Sequence, residues 1–151
     1  MSPTAKLAEL GLTLPPVATP AGAYIPAKRS GNLVFTAGQV PFVDGKLPKT
    51  GKIGGDVSAE DAYDLARICT LNALAAIDDL VGLDSVTSIV KVVGFVASSP
   101  DFGGQPKVIN GASDLLGEIF GEAGAHARSA VGVAELPLNA PVEVELIVEV
   151  G

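Results

Sequence analysis

Apolar and polar positions alternate most clearly at the end of the chain. In Val142-Glu143-Val144-Glu145-Leu146-Ile147-Val148-Glu149-Val150 every even position is apolar, and the odd positions are Glu apart from Ile147. A period of two marks a strand with two unlike faces. A second β-rich run, His126 to Leu136, precedes it, and Pro137 to Pro141 separates the two. That spacing predicts an antiparallel hairpin with a loop over Pro137–Pro141. In the first run Arg128 shares a face with Ala130, Gly132 and Ala134. A long cation beside small residues predicts that something bulky, a ligand or another subunit, lies against that face.

Upstream, Ile89 to Ala97 is apolar on both faces apart from Lys91, which predicts a central strand. Leu33 to Ala37 is a short strand, and Ala23 to Arg29 an irregular edge strand interrupted by Pro26. Helical spacing of Ala62, Ala66, Cys69, Ala73, Ala76 and Leu80, widened by Leu65, Ile68 and Ile77, predicts a long helix. It opens at a Ser58–Asp61 capping box and stops at Gly82. A second helix is expected from Gln105 to Phe120, with Pro106 in its first turn and Val108, Leu115, Leu116, Ile119 and Phe120 facing inward. Ser2 is placed to cap a short helix over Pro3–Leu10, with Leu7 and Leu10 inward, and the prolines from Leu14 to Pro20 make an extended linker. Residues 1–20 thus read as an N-terminal extension to a domain over 21–151.

The order of elements is that of an α+β fold. Two helices cover one sheet face, so the other face needs a partner. Self-association is the economical source of one, and a homo-oligomer is expected.

Composition narrows the function classes. Ten Lys and Arg stand against seventeen Asp and Glu, a net charge of −7, so broad nucleic-acid binding is not expected. The single cysteine excludes an internal disulfide and fits a reducing cytoplasm. No signal-like or membrane-spanning apolar run is present. One His and no CxxC pair argue against a metal centre, and no GxSxG, P-loop or HExxH motif occurs.

Six side chains are candidates for chemistry. Arg128 offers a fork of donors that fits a carboxylate, or else an ion pair with a nearby Glu. Glu143 is placed to orient or deprotonate water, or else to join Glu145 and Glu149 on a solvated face. Tyr24 can line a ligand site or sit at a surface. Asn110 can bond a ligand or tether a loop. His126 can exchange a proton near neutral pH, though a lone histidine is more often structural. Cys69 lies on the apolar stripe and reads as core.

Several of these segments together resemble the RidA (YjgF) family. They are Ala23-Tyr24, Gly31 to Pro41, Val108-Ile109-Asn110, Ala127-Arg128-Ser129 and Val142-Glu143-Val144. The resemblance spans nearly the whole chain after Pro20. It implies a chorismate-mutase-like fold, a homotrimer with ligand clefts between subunits, and hydrolysis of 2-imino acids or enamines to 2-oxo acids and ammonia without a cofactor. It further implies that Arg128 clamps the substrate carboxylate and Glu143 positions the attacking water. Tyr24 and Asn110 would line the cleft, and backbone at Ala37 and Gly38 would shape it. The chain departs from the deaminase branch in four ways. Ala130 replaces a frequent Cys, and His126 stands where Pro or Ala is usual. The Asn110–Arg128 spacing is about one residue longer, and there is an N-terminal extension. These departures resemble a longer subgroup that carries endoribonuclease L-PSP and chorismate-mutase-like names. An organic-acid sensor and an endoribonuclease are the alternative functions.

Overall fold

A computed structural model describes residues 1–151. The elements are α1 (Pro3–Glu9), β1 (Ala27–Ser30), β2 (Leu33–Thr36), α2 (Ala59–Val81), β3 (Val86–Ala97), α3 (Gln105–Phe120), β4 (Ala127–Val133) and β5 (Val142–Val150), with short 3-10 turns between some of them. They form one mixed five-stranded sheet in the order β1-β2-β5-β3-β4. Helices α2 and α3 pack on each other and cover one face of it.

The alternation in β5 sets that arrangement. Val142, Val144, Leu146, Val148 and Val150 are all buried beneath the helices. Fully burying side chains of this kind contributes about 1.5–3 kcal/mol each. Glu143, Glu145, Ile147 and Glu149 point to the opposite face. The mixed α+β plan with two helices on one face is as the pattern predicts.

The hairpin is not. β4 and β5 do not pair; β3 lies between them, parallel to β4 and antiparallel to β5. The physical reason is β3 itself. Twelve residues long and largely apolar on both faces, it gains a ladder at each edge, and α3 provides the crossover that a parallel pair requires. The chain between Val133 and Val142 then only has to step over one strand, roughly 10 Å. β5, rather than β3, takes the middle of the sheet.

The small residues of β4 are explained from within the chain. Arg128, Ala130 and Gly132 pair with Val92, Gly94 and Val96, whose side of the sheet faces α3. A Cβ on Gly94 would come within 2.4 Å of Ile109, and one on Gly132 within 2.8 Å of the Gln105 amide. Within the chain, the bulky neighbour of that face is helix α3.

Capping follows the sequence with local differences. Ser2 Oγ accepts from the Ala5 N–H at 3.2 Å, and Ser58 Oγ from the Asp61 N–H at 3.1 Å. The Asp61 carboxylate pairs with Lys49 and does not accept from the Ser58 backbone N–H, so only half of the capping box forms. Aspartate is one methylene shorter than the usual Glu. Leu7 is buried, whereas Leu10 and Leu80, at the ends of their helices, are exposed. The stretch from Leu12 to Val17 lies against the core through Leu12, Leu14 and Val17. No helix is long and apolar enough to cross a membrane.

Candidate functional site

A bulge next to β5 builds the surroundings of Glu143. Phe35 pairs with Ile147, but the next bridge joins Gln39 to Val144, so one extra residue lies on the β2 side. The Thr36 hydroxyl fills the gap by accepting the Leu146 N–H at 2.9 Å. Bulges of this kind re-aim a strand beside a site. Here it brings Gly38 against the Glu143 carboxylate, where a Cβ would sit 2.6 Å from Oε1. Only glycine fits there without displacing the carboxylate.

Glu143, Gly38 and Tyr24 share a cavity of about 320 Å³. Its other walls include Ala18 to Ala21 of the linker, Gln39, Phe42, and Pro137 and Leu138. The Tyr24 hydroxyl accepts from the Ala21 N–H at 3.2 Å, which ties the ring to the linker. Leu138 and Asn139 both hold left-handed backbone, at φ 60° and 57°. For Leu138 that conformation is strained, and the strain sits at the cavity mouth. Burial pushes the Glu143 carboxyl above its ordinary range, and the neighbouring Glu145 charge adds to the effect. Such a carboxylate is a better base than one in water. Ala37 does not line the cavity; its N–H donates to the Pro26 carbonyl at 2.8 Å.

Arg128 belongs to a second cluster. Its Nη1 donates to Asn110 Oδ1 at 2.7 Å and to Ser113 Oγ at 3.2 Å, both on α3. Ser113 Oγ lies 2.9 Å from His126 Nε2, and His126 Nδ1 lies 2.6 Å from the Gly124 carbonyl. A carbonyl only accepts, so Nδ1 carries a proton and, in the neutral ring, Nε2 accepts from Ser113. Arg128 makes no ion pair within the chain. The salt-bridge reading of this arginine is thereby removed. Its guanidinium is aimed by neutral acceptors through one nitrogen, and its remaining donors have no partner in the chain.

The predicted residues thus fall into two groups. Tyr24, Gly38 and Glu143 meet at one cavity; Asn110, His126 and Arg128 meet at the edge of α3 and β4. Sequence reasoning did not single out Ser113, although it lies three residues after Asn110 and so on the same helix face. Cys69 is fully buried, and burial raises its thiol well above the ordinary value. No group of three or more His, Cys, Asp or Glu side chains is placed to hold a metal ion.

Residues 4–150 match the family described as "YjgF/chorismate_mutase-like, putative endoribonuclease". Among curated proteins, Protein TCP17 of Trypanosoma cruzi is 43% identical over 147 residues, 96% of this chain and 92% of the relative. The 2-iminobutanoate/2-iminopropanoate deaminase of Escherichia coli K12 is 34% identical over 128 residues, 83% of this chain and 86% of the relative. A solved structure described as "a putative endoribonuclease" from Shewanella oneidensis MR-1 superposes with a TM-score of 0.96 at 37% identity, covering 99% of this chain and 100% of that one. Fold, matched length and identity agree, and the chain belongs to the YjgF (RidA) family.

Proposed function

We propose that the protein hydrolyses 2-imino acids to 2-oxo acids and ammonia, at clefts between the subunits of a homotrimer. The observation that carries this reading is the unpaired, pre-aimed guanidinium of Arg128. A substrate carboxylate is the partner its free donors fit. The relative named 2-iminobutanoate/2-iminopropanoate deaminase supports the same chemistry. An imine carbon is already electrophilic, so the reaction needs a held water and a base rather than a covalent nucleophile. Glu143, with its raised pKa and its place in a cavity, suits that role. Tyr24 and Gly38 would contact the ligand from the same cavity, and Asn110 from the Arg128 side. Neither step calls for a cofactor.

Arg128 and Glu143 do not share a cavity in one chain, and a subunit interface is where they would meet. The uncovered sheet face supports such an interface, because Phe35 and Val131 stand 41% and 44% exposed on it. Light scattering at micromolar concentration is expected to give three copies; a folded monomer would remove the intersubunit cleft.

The functional test generates 2-iminopropionate in situ with an amino-acid oxidase and follows its loss against a semicarbazide trap. Wild type is expected to outpace buffer. Arg128→Lys should lose about 1.5–3 kcal/mol of affinity for pyruvate or 2-oxobutyrate, since lysine lacks the fork. Carboxylate binding without hydrolysis would leave a small organic-acid sensing trimer as the function. The endoribonuclease reading has less support: the net charge of −7 offers little to a phosphate backbone.

A further inference from the structure

We infer that Ser113 is a proton donor to the ligand anchored on Arg128, and that His126 acts through it as its proton reservoir. The inference rests on the imine-hydrolysis reading above and adds two residues to it.

The geometry is that of a relay. Ser113 Oγ lies between Arg128 Nη1 at 3.2 Å and His126 Nε2 at 2.9 Å. The ring is fixed from its far side, since Nδ1 is held 2.6 Å from the Gly124 carbonyl. With the ring neutral, the Ser113 hydrogen is committed to Nε2. With the ring protonated, Nε2–H donates to Oγ, and the hydroxyl hydrogen is free to turn to a ligand beside Arg128. All three side chains are partly exposed, so the relay ends where a ligand can reach. A histidine serving packing alone would not require a hydroxyl shared with a guanidinium. The other charged side chains on the elements around the ring are Lys107, Asp114 and Glu118 on α3, Glu122 in the turn before β4, and Lys91 on β3, with Glu118 paired to Arg67 at 3.3 Å. Asp114 is engaged by the Tyr63 hydroxyl at 2.7 Å.

The step balances as follows. Water adds to the protonated imine carbon, and Glu143 takes one water proton and releases it to solvent. In the resulting carbinolamine, Ser113 gives its hydroxyl proton to the amino nitrogen and regains one from His126 Nε2. The C–N bond breaks, its electron pair leaving with ammonia, and the carbinolamine O–H proton passes to Glu143 as the carbonyl forms. The neutral ring is reprotonated from solvent, and Glu143 returns its second proton to solvent. The net change is iminium plus water to 2-oxo acid, ammonia and one proton.

The chain has one histidine, so the imidazole spectrum of 15N-labelled protein reports on His126 alone. Titration with 2-oxobutyrate is expected to shift those resonances and raise the ring's pKa. Ser113→Ala should abolish the coupling and lower kcat about 100-fold. KM should stay within about twofold, because Asn110 still holds Arg128. Ser113→Thr, which keeps the hydroxyl, should restore kcat. His126→Gln should lower kcat and remove the alkaline limb of its pH profile, since the relay must start protonated. Full kcat in Ser113→Ala, or an unchanged alkaline limb in His126→Gln, would overturn the relay while imine hydrolysis stood. If wild type hydrolyses no imine, that reading fails separately and the spectrum decides for Ser113 and His126. A ring pKa raised by bound 2-oxobutyrate and uncoupled by Ser113→Ala would keep proton delivery to the Arg128 ligand. An unmoved imidazole, or no binding, would end it.

Discussion

Arg128 and Glu143 point to opposite faces of the same sheet. Arg128 pairs with Val92 on the helix-covered side, and Glu143 pairs with Phe95 on the uncovered side, with β3 running between their strands. Strand alternation fixes this relationship, because Val92 and Phe95 are an odd number of residues apart. On the proposed reading, a single chain therefore presents two half-sites. If the halves of neighbouring subunits complete each other, Arg128→Ala and Glu143→Gln will each be inactive, yet regain activity when co-refolded. Random assortment of equal amounts leaves about a quarter of the sites intact. No recovery in the mixed assemblies would show that the two residues do not complete each other between subunits.

Glu143 should cost the fold stability when it is ionised. Burial raises its pKa above the ordinary 4.5. A carboxyl raised by folding favours the folded state below its unfolded value, and that contribution is lost as pH rises through the folded value. Glutamine has no such ionisation. The Tm of Glu143→Gln is expected to exceed that of wild type at about pH 8 and to converge with it on acidification toward about pH 4. A difference that stays constant across this range would show that Glu143 does not titrate as described.

Gly38→Ala separates site from fold. The added Cβ would meet Glu143 Oε1 at 2.6 Å, and a flexible carboxylate can move aside. Stability should change by less than about 0.5 kcal/mol, as for surface substitutions. Imine hydrolysis should fall by about 100-fold, because a small displacement of a catalytic group is costly. Unchanged hydrolysis would show that the carboxylate position is not critical.

Gly111→Ala tests the opposite case. Its Cβ would lie 2.1 Å from the Tyr63 carbonyl oxygen, where α3 crosses α2. Backbone cannot swing away as a side chain can. A loss of about 1–3 kcal/mol is expected from overpacking, read as a lower urea midpoint at unchanged m. A stability equal to wild type would mean that the two helices can separate without cost.

The sequence by itself determined the elements and the buried face. The period-two pattern of β5 places five apolar side chains inward, and the helical stripe of α2 buries Ala62, Leu65, Ala66, Cys69, Ala73, Ala76 and Ile77, with Ile68 partly buried and Leu80 exposed at the helix end. Local signals of this kind survive folding because each residue's face is set by its own backbone period. The candidate residues were also legible, since Tyr24, Asn110, Arg128 and Glu143 stand in segments that carry the family resemblance. Only the tertiary structure decided how strands pair and which candidates meet. β4 and β5 look like a hairpin because they are adjacent in the chain and separated by a loop. β3 comes between them because strand order follows the burial and hydrogen bonding available to every strand together. That insertion puts Arg128 against α3 with Asn110, Ser113 and His126, and leaves Glu143 on the other face with Gly38 and Tyr24. The role of Ser113 depends on side chains 13 and 15 residues away in sequence, so no local period could reveal it.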